Sequence, residues 1–288
     1  MTSHMQGRTV LITGGNSGIG FETALALAAA GATVAFTSRD PHRGEHAADE
    51  IRRRTSVQPH LMQLDLASFA SIRAFAAGFL ERFDSLHVLI NNAGLVLSER
   101  TETEEGFETT FGVNHLGHFL LTHLLLDRIK ASAPARIVNV ASRAHRYARS
   151  GLDFDDLQST RSYSGLGAYN RSKLANNYFT RELARRLQGT GVTVNALHPG
   201  VVATRFSRDG DVKGIISWFY RFGQPFLRSS EKGARTSIYL ASAPEVEGVS
   251  GNYFADSKEA KPTSIARDDE AARRLWEASE ALLSQAGP

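Results

Sequence analysis

Residues 9–20 read Thr9-Val10-Leu11-Ile12-Thr13-Gly14-Gly15-Asn16-Ser17-Gly18-Ile19-Gly20, and Phe21–Ala30 follows as FETALALAAA. A short run of β-branched and aliphatic residues ends in a glycine-rich turn. A run of strong helix formers comes next, closed by Gly31. This strand–turn–helix unit decides the fold, because the same alternation continues downstream. Thr33–Ser38 (TVAFTS) predicts a second strand and Pro41–Arg54 a polar-faced helix. His60–Leu64 is a third strand and Phe69–Phe83 a third helix. His87–Ile90 (HVLI) is a fourth strand, ended by Asn91-Asn92-Ala93-Gly94. Glu105–Ile129 predicts one long helix, Arg136–Val140 a fifth strand, Ala168–Leu187 a helix and Val192–Leu197 a sixth strand. Gly233–Ala241 is helical again, and Gly251–Phe254 is a short last strand. Strands alternating with helices imply an α/β fold, a parallel sheet covered on both faces. Runs such as HVLI fit strands buried on both sides.

The 288 residues contain 42% apolar and 22% charged residues, the composition of a globular chain. No Pro/Gly/Ser-rich linker divides them, so residues 1–288 read as one domain. Ser3-His4-Met5 resembles a cloning remnant, and residues 1–7 are set outside the fold as a tail. No cysteine is present, which excludes disulfides, thiolate metal sites and a cysteine nucleophile and suits a reducing cytoplasm. The net charge is +3, with no dense basic run interleaved with aromatics, so nucleic acid is not expected as a partner. No stretch approaches the ~18 consecutive apolar residues of a transmembrane segment.

Glycines between a first strand and a first helix let a phosphate approach the backbone at a helix N-terminus. Gly14, Asn16, Ser17, Gly18, Ile19 and Gly20 are therefore candidate dinucleotide contacts, although the order is G-x-x-x-G-x-G. At the end of the second strand, an acid would hold the ribose of NAD and an arginine would accept the 2′-phosphate of NADP. Asp40 lies at the spacing that suits NAD, but the strand run ends at Ser38 and Arg39 comes first, which favours NADP(H). The plainer reading of Arg39 is a solvated surface residue. Asp65, before Leu66, either accepts from the adenine amino group or caps the helix that starts near Ser68.

Tyr169 and Lys173 stand four apart in Tyr169-Asn170-Arg171-Ser172-Lys173, on one helix face. A neighbouring ammonium favours phenolate and lets a tyrosine exchange protons near neutrality. Ser142 ends the fifth strand, where parallel sheets place functional groups; its alternative is a cap. Asn114 begins VNHLGHFLLT, and its alternative is a buried amide that ties backbone together. His115 and His118 have no acidic or cysteine partner beside them, so no metal site is expected and a structural or interface role is preferred. Ser142, His145 and Asp153 or Asp155 lack the G-x-S-x-G elbow of a hydrolase.

Taken together, TGGNSGIG at 13–20, NNAG at 91–94, Asn114, Ser142, YNRSK at 169–173 and Pro199-Gly200 resemble the short-chain dehydrogenase/reductase superfamily. The resemblance spans nearly the whole chain. It implies a single-domain, Rossmann-like, doubly wound parallel sheet of about seven strands with helices on both faces. It implies a catalytic tetrad of Asn114, Ser142, Tyr169 and Lys173. Tyr169 would be the acid/base, and Lys173 would bind the nicotinamide ribose. Ser142 would hydrogen-bond the reacting oxygen, and Asn114 would help hold a proton-relaying water. Further cofactor contacts implied are Ser38, Asp65, Leu66, Asn92, Ala93, Gly94, Pro199, Gly200, Val202 and Thr204. SRAH at 142–145, LDFDDL at 152–157, residues 182–206 and GNYF at 251–254 resemble the retinol dehydrogenase branch. That branch uses NADP(H) on retinal and other lipophilic aldehydes, ketones or alcohols.

Many animal members of the branch carry a hydrophobic N-terminal anchor. This chain shows none, which leaves a retinoid and another small or polyketide-like carbonyl both open as substrates. Light-dependent protochlorophyllide reductases are also similar, but they carry functional cysteines. A non-catalytic cofactor-binding scaffold is the non-enzyme alternative, against which the intact tetrad speaks. The resemblance also implies a homodimer or tetramer formed through the helices that carry Asn114 and Tyr169. Residues 204–231 take the place of a substrate-covering segment. Ile215, Ile216, Trp218, Phe219, Tyr220, Phe222, Phe226 and Leu227 crowd there, interleaved with arginines. Three readings stand: an amphipathic helix on the domain, a mobile lid over a lipophilic pocket, or peripheral membrane contact.

Overall fold

The structure, a computed structural model, describes residues 4–200 and 228–287. One sheet runs through it in the order β3-β2-β1-β4-β5-β6-β7-β8. The strands are β1 (Thr9–Ile12), β2 (Thr33–Ser38), β3 (His60–Gln63), β4 (Val88–Asn91), β5 (Ala135–Val140), β6 (Val192–His198), β7 (Tyr253–Ala255) and β8 (Lys258–Glu259). The first seven are parallel, and β8 adds a short antiparallel edge that the strand count of about seven did not include. The order reverses between β1 and β4, with Val10 level with Val34 on one side and Val88 on the other. Ligands of open α/β sheets sit at the carboxyl ends of the strands at such a reversal.

The pleat sorts the strand residues into two cores. Val10, Ile12, Val34, Phe36, Ile90 and Val138 face one side. They pack with α1 (Gly18–Ala29), α2 (Pro41–Thr55) and the helix Ser230–Ser242, named α7 below. Leu11, Leu89, Ile137 and Val194 face the other side. They pack with α3 (Phe69–Arg82), α5 (Gly117–Ala131), α6 (Gly165–Arg186) and α8 (Asp269–Gln285). Successive side chains of a strand point to opposite faces, so these short aliphatic runs serve both layers.

The predicted helix over 105–129 is corrected. A short turn, α4 (Thr109–Phe111), starts it, because the buried Glu108 carboxylate accepts from the Thr110 and Phe111 N–H groups. A π-helical turn, Gly112–Leu116, then widens the backbone before α5. Helix α6 starts earlier than read, at Gly165, because Ser164 caps it by accepting from Gly167 N–H. The N-terminal tail is also corrected. Met5 is buried in the α1/α2 core, and its N–H donates to the Ala30 carbonyl at 3.2 Å.

Sequence reading passed over α8, although Asp268 caps it and its buried stripe is Ala272, Leu275, Trp276 and Ser279. Trp276 lies 4.8 Å from the Phe119 ring, edge to face, and Arg186 stacks over it at 4.3 Å. Helix α8 thereby clamps α6, which carries Tyr169 and Lys173, and α5, which continues from the π turn that holds Asn114. Replacing Trp276→Ala is expected to cost about 3–5 kcal/mol in urea unfolding. Trp276→Phe should cost less, since it keeps ring packing and removes an indole N–H that is buried with no hydrogen-bond partner. Equal stability of Trp276→Ala and the unmodified protein would contradict this packing account.

Candidate active site

The glycine-rich turn leads from β1 into α1 with Gly14 at φ 66° and Gly18 at φ 57°, both in the left-handed region. At Gly20 a Cβ would collide with the Gly14 carbonyl oxygen and stand 2.6 Å from Asn92 Nδ2. Only a hydrogen allows this approach. Asn92 Nδ2 in turn donates to the carbonyls of Thr13 at 2.8 Å and Gly14 at 3.3 Å. The turn after β4 thus holds the turn after β1. Ser17 opens α1 without a side-chain cap, and no acidic residue lies in the first turn. The free N–H groups and the positive end of the helix dipole suit a phosphate. The glycine turn with its uncapped helix therefore fits a dinucleotide.

At the end of β2, Ser38 is buried and its hydroxyl donates to the Asp40 carbonyl at 2.6 Å. Asp40 caps α2 by accepting from Arg43 N–H at 3.2 Å. Its carboxylate is thereby tied to the helix, while Arg39 is exposed. Asp65 does not cap α3. Ser68 does, by accepting from Ser71 N–H, whereas Asp65 Oδ1 accepts from Ala67 N–H at 2.9 Å. Leu66 is buried, and its carbonyl oxygen lies 2.6 Å from where a Gly117 Cβ would stand. The segment after β3 therefore packs on the start of α5.

Asn114 sits in the π turn and is fully buried. Its Oδ1 accepts from Leu95 N–H at 2.8 Å, and its Nδ2 donates to the Leu95 carbonyl at 2.9 Å and to Ser172 Oγ at 3.0 Å. The side chain ties backbone together. Gly94 brings the NNAG turn against it: a Cβ there would lie 3.0 Å from Asn114 Oδ1 and 3.4 Å from Lys173 Nζ. Lys173 is 3% exposed, and its Nζ donates to the Val140 carbonyl at 3.0 Å. Burial without a carboxylate partner penalises the ammonium and brings its pKa down to about 8. One turn before it on α6, Tyr169 is half-buried, with the Lys173 nitrogen 5.7 Å from its ring centroid. Ser142 follows β5, and its Oγ accepts from Ala144 N–H at 3.1 Å, which leaves its own proton to donate. Asn114, Ser142, Tyr169 and Lys173 thus come from the π turn, the end of β5 and α6, gathered at the carboxyl ends of β4 and β5.

Among the described residues Ser142, His145 and Asp153 do not line up as a hydrolase triad. His145 Nδ1 contacts the Ser142 backbone oxygen at 2.6 Å, not its hydroxyl, and Asp153 accepts from Asp155 N–H. His115 Nε2 meets Ser279 Oγ at 2.9 Å, on α8, and burial pushes its pKa down to about 3. His118 points instead to Thr13 Oγ1 at 2.9 Å. Val202, Thr204 and the aromatic residues up to Leu227 lie outside the described residues. Pro199 and Gly200 are half-buried just beyond β6. Several residues at the site escaped sequence reading. Thr13 accepts from Asn92 and Ala93 N–H, Ser172 accepts from Asn114, and Tyr253 bonds His198 at 2.9 Å. Each lies inside a quoted motif, but its individual role was not read, because it acts through a partner distant in the chain.

Residues 8–153 and 157–211 match the short chain dehydrogenase family. The chain belongs to that family. Similar proteins include human retinol dehydrogenase 12, 50% identical over 280 residues that cover 97% of this chain and 87% of that protein. Human retinol dehydrogenase 14 is 48% identical over 294 residues, covering 97% and 87%. Among solved structures, an uncharacterised protein from Mycobacterium paratuberculosis superposes with a TM-score of 0.77 at 34% identity, covering 99% of this chain and 97% of that one. This short chain dehydrogenase is an oxidoreductase related to the retinol dehydrogenases, built on a Rossmann-like α/β sheet. Among its described residues no helix is long and apolar enough to cross a membrane.

The buried Lys173 has a thermodynamic signature. Between its folded pKa of about 8 and the ordinary value of 10.5, the unfolded chain holds a proton that the folded chain has released. Lys173 therefore contributes stability that rises with pH across that window, and its burial penalty is largest below it. The stability difference between the unmodified apoprotein and Lys173→Met should move in favour of the unmodified protein from pH 8 to pH 10. A pH-independent difference would show that the amine is not desolvated.

Proposed function

We propose that this short chain dehydrogenase interconverts lipophilic aldehydes or ketones and their alcohols with NADP(H). The observation that carries the reading is the Tyr169–Lys173 pair on α6, with the Lys173 ammonium buried 5.7 Å from the Tyr169 ring centre. When bound, the nicotinamide supplies a hydride to the carbonyl carbon or takes one from the alcohol carbon. In reduction, the Tyr169 hydroxyl gives its proton to the carbonyl oxygen as that oxygen gains charge, and in oxidation it takes the proton back. The positive Lys173 favours the phenolate that remains and holds the ribose. Ser142 donates its free proton to the same substrate oxygen and so orients it. Asn114 fixes Leu95 and the NNAG turn beside Lys173, with its main chain in the proton path. Gly14, Asn16, Ser17, Gly18, Ile19 and Gly20 would hold the pyrophosphate, and Asn92, Ala93, Gly94, Pro199 and Gly200 would contribute to holding the nicotinamide.

The cofactor preference rests on Arg39. It stands exposed at the end of β2, whereas the acid that would suit NAD, Asp40, is committed to capping α2. A guanidinium recognises a phosphate through paired, charge-assisted hydrogen bonds. NADPH should bind at least about tenfold more tightly than NADH, and Arg39→Asp should reverse the order. Equal affinities in the unmodified protein, measured by fluorescence titration, would refute the assignment.

The substrate class draws on the similar proteins, which are named retinol dehydrogenases, and on the aromatic residues between Ile215 and Leu227. Turnover of a carbonyl series from short polar aldehydes to long-chain and polyene aldehydes, retinal included, tests it. kcat/KM should rise with apolar length. Tyr169→Phe should lower kcat by at least ~10²-fold with cofactor affinity nearly intact. Near-normal turnover by Tyr169→Phe would remove the proposed acid/base, and a preference for short polar carbonyls would remove the lipophilic substrate.

A further inference from the structure

His118 has no part in the chemistry above, yet its ring is 3% exposed and lies between the two halves of the site. Nε2 is 2.9 Å from Thr13 Oγ1, in the glycine-rich turn, and Nδ1 is 3.3 Å from the carbonyl oxygen of Asn114, in the π turn. The proton positions follow by elimination. Thr13 Oγ1 accepts from Asn92 N–H at 2.9 Å and from Ala93 N–H at 3.0 Å, which occupies both lone pairs. Its own proton must be donated, and the acceptors in reach are His118 Nε2 at 2.9 Å and the Ile90 carbonyl at 3.4 Å. The shorter contact makes Nε2 the acceptor. The ring proton therefore sits on Nδ1 and points to Asn114 O. Burial keeps the ring neutral, with a pKa pushed down to about 4; the Asn114 carbonyl opposes the shift and the Lys173 ammonium adds to it.

A neutral imidazole thus accepts at one end and donates at the other. On the Thr13 side, Asn92 Nδ2 holds the Thr13 and Gly14 carbonyls, so the contact reaches the phosphate-binding turn. On the Asn114 side, the amide reaches Leu95 and Ser172, the residue beside Lys173. Loss of the ring nitrogens would leave the Thr13 hydroxyl only the longer contact to the Ile90 carbonyl and uncouple the two turns. We propose that His118 is a positioning residue that fixes the glycine-rich turn relative to the Asn114–Lys173 group, so that cofactor affinity and turnover depend on one imidazole. The inference rests on the reading that the glycine-rich turn holds the dinucleotide.

The test is a double-mutant cycle between Thr13 and His118, read by direct titration of NADPH and NADH and by kcat. His118→Phe keeps the ring volume and removes both nitrogens. It should raise the Kd of the preferred cofactor about tenfold and lower kcat by a similar factor, with the carbonyl KM little changed. His118→Gln can still accept from Thr13, and should recover most of the cofactor affinity. Thr13→Val should weaken binding, Thr13→Ser should not, and the Thr13→Val/His118→Phe protein should be no worse than Thr13→Val alone. A role confined to core stability would lower Tm and leave Kd and kcat of the folded protein unchanged, which overturns the proposal, as does additivity in the cycle. Should His118→Phe fail to fold, the same cycle is run with His118→Asn, whose amide is too short to reach Thr13. Unchanged Kd there overturns the proposal equally. An unmodified protein that binds neither cofactor overturns the underlying reading as well. One that binds, with variants that bind equally, overturns this inference alone.

Discussion

The constraint on which the rest depends is the side-chain-free contact where α1 leaves β1. Gly20 stands against the Gly14 carbonyl with no space for a Cβ, and Asn92 from the neighbouring strand end closes over both. That contact fixes the pitch of α1 on the sheet. It also leaves the first N–H groups of the helix without a side-chain cap at the point where the strand order reverses. A side chain at Gly20 would push helix and strand apart and disturb the exposed N–H groups at the start of α1.

A second constraint is electrostatic. Lys173 keeps an ammonium in the interior with the Val140 carbonyl as its hydrogen-bond acceptor. Desolvating a charge without a counter-ion opposes folding. The surrounding structure sustains it: Asn114 and Gly94 close over the amine on one side, and α6 is held to α8 through Trp276 and to α5 through Phe179 and Phe119. The same desolvation that opposes folding moves the amine toward neutral pH, where a tyrosine partner can exchange protons. Stability is thus given up at the place where the chemistry is proposed, and the missed helix α8 is one of the elements that offset it.

Much of this was legible in the chain itself. The alternation of β-branched runs with Ala/Leu-rich segments specified a parallel sheet, since each pattern has one period and one burial mode. The glycine turn, NNAG, Asn114, Ser142 and the Tyr169–Lys173 spacing marked the candidate site, because residues close in sequence carry those motifs. Where reading failed, a tertiary contact had overridden local preference. The long helix over 105–129 was interrupted because the Glu108 carboxylate caps a late start and a π turn follows. Met5 was set aside as tail, yet it packs into the α1/α2 core.

The sequence by itself determined the fold class, the order of β1 to β7, the glycine-rich turn and the residue types of the candidate site, because period, turn chemistry and short spacing are local properties. Only the tertiary structure decided that Asp40 caps a helix and leaves Arg39 exposed at the strand end. Only it decided that Asn114 acts as a backbone tie, that Lys173 is desolvated, and that His118 joins Thr13 to the π turn. Those facts depend on where a side chain finds its partner. The partners lie up to 105 residues away along the chain, as Thr13 and His118 do. Burial and hydrogen-bond geometry exist only once the sheet has brought the two ends together.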